Sequence, residues 1–245
     1  MLEKNYGLIG YPLSHSFSKK YFDEKFAIEN IQMAFFHQFP ITNIQLLPTV
    51  LATPNLKGCA ITIPYKKVII PYLHWASDAV NKMGACNCVK IKDGKLLGFN
   101  TDIIGFEKSF QPLLQSNHKK ALILGTGGAA AAVAFVLQKL AIPFKYVSRK
   151  PAANQFAYEE LTAAVFNEYP IIINTTPLGT YPDVNTKPTI PYHLLNTNNY
   201  LYDLVYNPSV TAFLQEGLNK GCTTKNGYDM LILQAEENWK IWNED

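Results

Sequence analysis

The sequence is poor in charged residues and almost devoid of arginine. Charged residues make up 17% of the 245 residues and apolar residues 48%, whereas soluble domains are typically about 25% charged. Such a chain can bury a large core and is not intrinsically disordered. The net charge of +3 is too small to predict a nucleic-acid-binding surface. All but one of the 22 basic residues are lysines, and the exception is Arg149.

Long apolar runs and clustered metal ligands are also missing. The longest strictly apolar run, residues 129–137, is only about half of the 18 residues that a membrane-spanning helix needs. The N-terminal residues lack the basic and then apolar pattern of a secretion signal. We therefore expect a cytoplasmic protein with no membrane partner, whose four cysteines are reduced thiols. No second pair accompanies Cys86 and Cys88, so no metal site is expected.

The spacing of apolar residues predicts strands that alternate with helices, which favours an α/β fold with parallel sheets. Asp93-Gly94, between two alternating segments, predicts a β-hairpin that interrupts this alternation. The hairpin lies before about residue 102 and a more regular pattern follows, so we expect two domains. The expected strands are 6–9, 33–39, 58–63, 86–91, 96–99, 120–124, 144–148, 170–174 and 200–205.

Helices are expected between most of these strands. Ser18 is predicted to cap a helix that runs to about Glu29, and Pro48 to interrupt an amphipathic helix over 41–51. One further helix is expected to begin at residue 103, and a separate alanine-rich helix after the strand 120–124 is expected to end at Leu140. Two more helices are expected over 210–220 and 228–242.

A glycine-rich turn follows the first strand of the second half. Gly125, Gly127 and Gly128 stand between this strand and an alanine-rich helix. Such a turn lets backbone amides approach a pyrophosphate, whose charge the helix dipole stabilises. The motif alone is weak, because Ala130 replaces the last glycine of the dinucleotide-binding fingerprint. Small residues also occur where a helix packs closely on a sheet, so that role stays open.

The end of the next strand distinguishes between the two nicotinamide dinucleotides. NAD-binding proteins commonly have Asp or Glu there, which accepts from the ribose 2′-hydroxyl, but this chain has Ser148-Arg149-Lys150. A guanidinium can bind a 2′-phosphate in a bidentate manner and stack on adenine. A merely solvated cation would more naturally be lysine in this chain. The pattern therefore favours NADP over NAD.

A second set of polar residues falls near the strand ends of the first half, where open α/β sheets bind their ligands. Ser14 and Ser16 could donate to a substrate carboxylate, although hydroxyls there also suit helix capping. Lys66 and Asp102 could form an acid/base pair acting on one hydroxyl, with an ordinary salt bridge as the alternative. The set is completed by Thr62 and Asn87.

These motifs, in this order, resemble those of the shikimate dehydrogenase family over nearly the full chain. The resemblance implies that Ser14 and Ser16 bind the substrate carboxylate and that Lys66 is catalytic with Asp102 as its partner. It also implies substrate contacts by Thr62, Asn87, Tyr206 and Gln234. The matching segments are Gly10-Tyr-Pro-Leu-Ser-His-Ser16, Gly58-Cys-Ala-Ile-Thr-Ile-Pro-Tyr-Lys66, Gly84-Ala-Cys-Asn87 and Gly98-Phe-Asn-Thr-Asp-Ile-Ile-Gly105.

The second half resembles the family's cofactor-binding half, through residues 125–129, 148–149, 174–179 and 203–208. The resemblance implies these contacts to NADP: Gly125, Thr126, Gly127, Gly128, Ala129, Ser148, Arg149, Lys150, Thr175, Thr176 and Gly227. The sequence differs from the usual family pattern at Lys19, Phe22, Ser148, Lys150 and Thr180. Thr180 stands where the family frequently has Met, so the contact to the nicotinamide ring that the family pattern implies does not carry over to this position.

If the last helix carries Gln234 into the substrate pocket, that helix belongs to the first domain. The expected fold is therefore a two-domain α/β architecture. Residues 103–228 would form a Rossmann-type NADP-binding domain. Residues 1–102 and 229–245 would form a discontinuous α/β substrate-binding domain with a mixed, mainly parallel sheet.

The resemblance implies the reversible reduction of 3-dehydroshikimate to shikimate by NADPH, in the biosynthesis of chorismate and the aromatic amino acids, by a monomer or homodimer. Two alternatives stay open. One is an NAD-dependent quinate or quinate/shikimate dehydrogenase, against which Arg149 argues. The other is a non-catalytic NADP-binding sensor, which would not require Lys66, Asp102, Asn87 and Gln234 together.

Overall fold

The structure is a computed structural model that describes residues 2–13 and 16–244. The chain divides into two compact units, the first formed by residues 1–101 and 235–245 and the second by residues 102–234. The second boundary therefore lies within the last helix, beyond the expected residue 229. The boundary lies beyond residue 229 because the start of the last helix packs closely within the second unit. An added Cβ at Gly105 would lie 2.4 Å from the Met230 carbonyl oxygen. The first turns of the last helix are thus tied to the helix that contains Gly105.

The first unit contains a six-stranded mixed sheet, as expected, in which three of the five neighbouring pairs are parallel. Asp93 and Gly94 have φ angles of 50° and 73°, which the mirror-image turn of a two-residue hairpin requires. The predicted hairpin is therefore confirmed. In sheet order, the strands are β2 (Ala34–Phe39), β1 (Lys4–Ile9), β3 (Leu56–Ile61), β5 (Cys88–Lys92), β6 (Lys95–Phe99) and β4 (Trp75–Ala76).

The helices of the first unit correct two expectations. Helix α1 (Phe17–Ile28) begins earlier than predicted, with Ser16 rather than Ser18 at the N-cap position. The expected helix over 41–51 is a 3₁₀ turn (Ile44–Leu46) followed by the short helix α2 (Leu47–Leu51). Pro48 lies in the first turn of α2, where its missing amide hydrogen costs no helical hydrogen bond. Helix α3 (Asp78–Met83) was not predicted.

The last helix is fixed on the first sheet by its aromatic residues. The indole ring of Trp242 covers Gly58, where an added Cβ would lie 2.1 Å from Cδ1 of that ring. Its Nε1 donates to the carbonyl oxygen of Val89 at 3.1 Å, and the ring stacks on Tyr6 with centroids 5.3 Å apart. A side chain at position 58 would displace the helix, which accounts for the glycine.

The second unit is built around a five-stranded, wholly parallel sheet. In sheet order, the strands are β11 (Thr223–Lys225), β10 (Tyr200–Asp203), β9 (Ile171–Asn174), β7 (Ala121–Leu124) and β8 (Phe144–Val147). Every residue of β7, β9 and β10 is buried, as in parallel sheets that are covered on both faces. This is the expected Rossmann-type arrangement, although β11 was not predicted.

Helices cover both faces of this sheet, and apolar clusters lie on each side of it. They are α4 (Asp102–Phe110), α5 (Gly128–Lys139), α6 (Ala163–Glu168), α7 (Ala212–Asn219) and the first turns of α8 (Tyr228–Asn243). Helix α6 was not predicted. Across the part of the chain that the structure describes, each helix is too short or too polar to cross a membrane.

Candidate active site

The predicted cofactor residues follow the carboxyl ends of the strands in the second unit. Because all five strands are parallel, these ends share one edge of the sheet. Residues 125–129 follow β7, residues 148–150 follow β8, and Thr175 and Thr176 follow β9. Open α/β sheets bind their ligands at this edge.

The glycine-rich turn between β7 and α5 has the open form that a phosphate group needs. Gly125 has a φ of +100°, a conformation that favours glycine, and packs against Thr176. Gly127 is the N-cap residue of α5. An added Cβ at Gly127 or Gly128 would meet no atom within 4 Å. Close packing therefore does not account for these two glycines, and the space beside their amides is open to a ligand.

A cleft of about 1140 Å³ opens beside this turn, within the second unit. This volume lies slightly above the range of about 300–1,000 Å³ that is common for sites of drug-sized ligands, so the cleft has room for a large ligand such as a dinucleotide. Of the residues expected to bind NADP, these line it: Gly125, Thr126, Gly127, Arg149, Thr175 and Thr176. The remaining lining residues lie within segments 158–161 and 177–191. Of these, only Pro177 and Leu178 fall in a segment, 174–179, that resembles the family's cofactor-binding half.

The turn after β8 presents Arg149 to the cleft. The Ser148 hydroxyl accepts from the Lys150 amide at 3.2 Å, and the Ser148 amide donates to the Phe156 carbonyl at 2.9 Å. These bonds fix the backbone on both sides of Arg149, whose side chain is exposed and lines the cleft. Ser148 and Lys150 are not among the lining residues. Ser148 therefore shapes the turn that presents the guanidinium.

A buried hydrogen-bond network supports the wall formed after β9. The Asn174 side-chain oxygen accepts from the Thr176 amide at 3.0 Å and from its hydroxyl at 2.7 Å. The Asn174 amide group donates to Asp203 at 2.9 Å. Asp203 is fully buried and also accepts from the Val205 amide at 3.0 Å and from the Thr211 hydroxyl at 2.6 Å. The network fixes Thr176 at the mouth of the cleft.

Burial raises the pKa of Asp203 from 3.8 to about 6, while its three hydrogen bonds act in the opposite direction. Sequence reasoning did not single out Asn174 or Asp203 as a supporting pair. The adjacent register of β9 and β10, in which these residues are partners, is not visible in the sequence.

Gly227 and Tyr206 lie at the same edge of the sheet. An added Cβ at Gly227 would lie 2.1 Å from the Leu204 carbonyl oxygen. Close backbone packing therefore accounts for this glycine without a ligand, and Gly227 does not line the cleft. Tyr206 is half-buried, and burial raises the pKa of its hydroxyl.

The predicted substrate residues of the first unit also meet at one sheet edge. Strands β1 and β3 are parallel, so the segments after them, with Ser16 and Thr62, leave the same edge. Strand β5 is antiparallel to β3, and the Ile61 amide donates to the Asn87 carbonyl at 2.8 Å. The Lys66 carbonyl accepts from the Cys86 amide at 2.7 Å, which ties the Lys66 segment to the residue before Asn87.

Asn87 lies at the centre of a buried side-chain network at this edge. Its Oδ1 accepts from the Thr101 amide at 2.6 Å, and its Nδ2 donates to the Thr101 hydroxyl at 3.0 Å. That hydroxyl also lies 2.7 Å from Oδ1 of Asn238 on α8. Asp102 is the next residue in the chain and the first of α4. The position of Asn87 thus fixes the backbone immediately before Asp102.

Ser16 stands at the N-cap of α1 without the hydrogen bond that a capping side chain makes. The capping alternative for this hydroxyl is therefore not supported. Ser14 and His15 lie outside the described residues. Gln234 lies on α8, where its side-chain amide donates to the Leu231 carbonyl at 3.0 Å.

The chain is similar to known proteins over nearly all of its length. Residues 8–89 match the family model described as the shikimate dehydrogenase substrate binding domain. The chain is 37% identical to the shikimate dehydrogenase (NADP(+)) of Clostridium beijerinckii, with 98% of this chain and 92% of the relative covered. It is 35% identical to the protein of the same name from Methanococcus vannielii, with 96% and 90% covered.

The fold is similar to a solved structure with bound ligands. Shikimate 5-dehydrogenase from Thermus thermophilus, in complex with NADP(H) and shikimate, matches with a TM-score of 0.84 and 28% identity. The match covers 98% of this chain and 93% of that protein.

Proposed function

Because the chain belongs to the shikimate dehydrogenase family, we propose that it catalyses the reversible, NADPH-dependent reduction of 3-dehydroshikimate to shikimate. This reaction is a step in the biosynthesis of chorismate and the aromatic amino acids. The observation that carries the proposal is the open glycine turn beside Arg149 in one cleft. An oxidoreductase acting on a CH–OH group needs such a cofactor site.

The second unit is proposed to hold NADP. The amides at Gly127 and Gly128 would bind the pyrophosphate, assisted by the N-terminus of the 12-residue helix α5. Arg149 would bind the 2′-phosphate, because a guanidinium offers several donors and a fixed positive charge. Thr126, Ala129, Thr175 and Thr176 would complete the contacts along the dinucleotide. Gly128, Ala129, Ser148, Lys150 and Gly227 do not line the cleft. Gly128 and Ala129 directly follow Gly127 at the start of α5, whereas the contacts of Ser148, Lys150 and Gly227 rest on the resemblance alone.

The first unit is proposed to hold the substrate. Ser14 and Ser16 would donate to its carboxylate, as the resemblance implies. Thr62 and Asn87 of this unit would contact its hydroxyl groups. The resemblance implies further substrate contacts by Tyr206 and Gln234, which belong to the second unit.

The chemistry requires that a proton reach the carbonyl oxygen as the ketone carbon is reduced. When bound, NADPH supplies the hydride for that carbon. We propose that Lys66 donates the proton or stabilises the developing negative charge on the oxygen. Asp102 would orient Lys66 and the adjacent substrate hydroxyl. In the reverse direction the same pair would accept the proton of the shikimate hydroxyl.

A cytoplasmic location and a monomeric or homodimeric state are parts of this proposal. All four cysteines are buried free thiols, which supports a reducing compartment. Size-exclusion chromatography with light scattering decides between monomer and homodimer.

The proposal is tested by the oxidation of NADPH, followed by its absorbance, after addition of 3-dehydroshikimate to the purified protein. NADH and 3-dehydroquinate are supplied in parallel reactions. Rapid turnover with NADPH and 3-dehydroshikimate alone is the expected result. Turnover mainly with NADH or 3-dehydroquinate would favour the quinate alternative. Binding of NADPH without turnover on either substrate would favour a sensor.

A further inference from the structure

The connection between β8 and β9 returns to the sheet after a short loop. Phe156 lies beside Val147 in an isolated parallel bridge. Its amide donates to the Tyr146 carbonyl at 2.8 Å, and its carbonyl accepts from the Ser148 amide at 2.9 Å. Because Phe156 runs in the same direction as β8, the residues after it emerge at the same edge as Arg149. This geometry brings an additional segment to the cofactor cleft.

Tyr158 is the residue of this segment best placed to bind a ligand. It opens the 3₁₀ turn Tyr158–Glu160 and lines the cleft together with Arg149. The Ala157 amide donates to the Glu160 carboxylate at 2.6 Å, which fixes the turn. The Tyr158 ring is partly buried against the apolar cluster that contains Leu161. The ring is therefore held in place while part of the residue remains accessible from the cleft.

The charges around Tyr158 suit a hydrogen-bond donor to an anion. Burial raises the pKa of the Tyr158 hydroxyl, and the positive charge of Arg149 lowers it by a smaller amount. The hydroxyl thus keeps its proton at neutral pH, and Arg149 lines the same cleft. Lys187, another cation of the cleft wall, is already paired with Glu216.

Glu159 also lines the cleft, but its carboxylate accepts hydrogen bonds and repels a phosphate. Arg149 and Tyr158 are therefore the residues whose hydrogen-bond donors suit an anion in this part of the cleft. Arg149 is the residue to which the proposed function assigns the 2′-phosphate.

We infer that Tyr158 is a second specificity residue for NADP, whose hydroxyl donates to the 2′-phosphate bound by Arg149. This inference rests on the proposed NADP-dependent function. A hydroxyl held by a packed ring loses little freedom on binding, and a hydrogen bond to a charged group is among the stronger ones. Tyr158 would thereby add to the preference for NADP over NAD without adding charge.

The test uses adenosine 2′,5′-bisphosphate and 5′-AMP, which differ only in the 2′-phosphate, and measures their binding by calorimetry. The affinity ratio of the two ligands is compared among the wild type, Tyr158→Phe and the control Tyr72→Phe. Tyr72 is a partly exposed tyrosine of the first unit. Tyr158→Phe keeps the packed ring and removes only the hydroxyl, so the fold is retained, as a thermal melt verifies.

We expect Tyr158→Phe to weaken binding of the bisphosphate about tenfold, with binding of 5′-AMP unchanged within about twofold. Tyr72→Phe should bind both ligands as the wild type does. A ratio in Tyr158→Phe equal to that of the wild type would overturn this inference and leave the proposed function intact. A wild-type protein that binds both ligands equally would overturn the assignment of the 2′-phosphate, and this inference with it.

Discussion

Asp203 provides a quantitative test of the network that supports the cofactor cleft. Its carboxylate is fully buried and accepts from Asn174, Val205 and Thr211. Replacement of Asp203 by asparagine removes the charge but keeps the shape. The new amide group would face the Thr211 hydroxyl, which also accepts from the Leu214 amide at 3.2 Å. That hydroxyl then loses its own acceptor, a loss of about 1–3 kcal/mol.

The effect of the substitution should depend on pH. The pKa of Asp203 is raised from 3.8 to about 6, so the folded protein binds this proton more tightly than the unfolded chain does. Its contribution to stability is therefore complete below about pH 4 and is lost as the pH rises through 6. The shift of about two pKa units corresponds to a total of about 3 kcal/mol. About 1 kcal/mol of this total is lost between about pH 5 and pH 8.

Urea denaturation of the wild type and of Asp203→Asn at these two pH values measures the difference. Comparing the two proteins cancels the titration of the groups that they share. We expect the variant to be less stable than the wild type at the lower pH, and this deficit to shrink by about 1 kcal/mol at the higher pH. A deficit that is the same at both pH values would refute the burial of a titrating carboxylate at this position.

Further substitutions test the individual roles. Lys66→Ala should lower kcat by about 10²- to 10⁴-fold with a modest change in KM, and an unchanged kcat would remove Lys66 from the chemistry. Asp102→Asn should show a similar loss of kcat with an unchanged thermal melt; wild-type rates would make Asp102 structural. Arg149→Ala should weaken NADPH binding and leave NADH binding nearly unaffected in fluorescence titrations, whereas equal losses would contradict its assignment to the 2′-phosphate. Gly127→Ala should leave the melting temperature unchanged, because a Cβ there meets no neighbour, yet weaken NADPH binding about tenfold or more. Unaltered binding would contradict the pyrophosphate site.

The features that were predictable from the sequence are those fixed by local chemistry. Asp93-Gly94 supplies two residues that accept positive φ, so the hairpin could be placed before its neighbours were known. The strands that alternate with helices in the second half predict a parallel sheet, which the structure has. The glycines after β7 predict the turn, but only the structure distinguishes Gly127 and Gly128, which face open space, from Gly125, which packs against Thr176.

Other features depend on tertiary contacts that leave little trace in the sequence. Strand β4 has two residues and β11 has three, too few to show a period, and both exist because a neighbouring strand pairs with them. Ser16 and Ser18 are equally good caps by residue type, and the path of the chain after β1 decides which one precedes α1.

The positions of residues in and behind the cleft wall also depend on tertiary contacts that the sequence does not reveal. Tyr158 follows the bridge between Val147 and Phe156, a pairing of single residues with no periodic signal. Asn174 and Asp203 are conspicuous polar residues at strand ends, yet their partnership depends on the order of the strands in the sheet.

The proposed hydride transfer from NADPH to the ketone carbon of 3-dehydroshikimate can be followed with NADPH deuterated at both C4 positions and mass spectrometry of the product. We expect shikimate that carries one deuterium on the reduced carbon, formed in equal amount to the NADP released. Oxidation of the cofactor without labelled shikimate, or labelling of the product from 3-dehydroquinate instead, would contradict it.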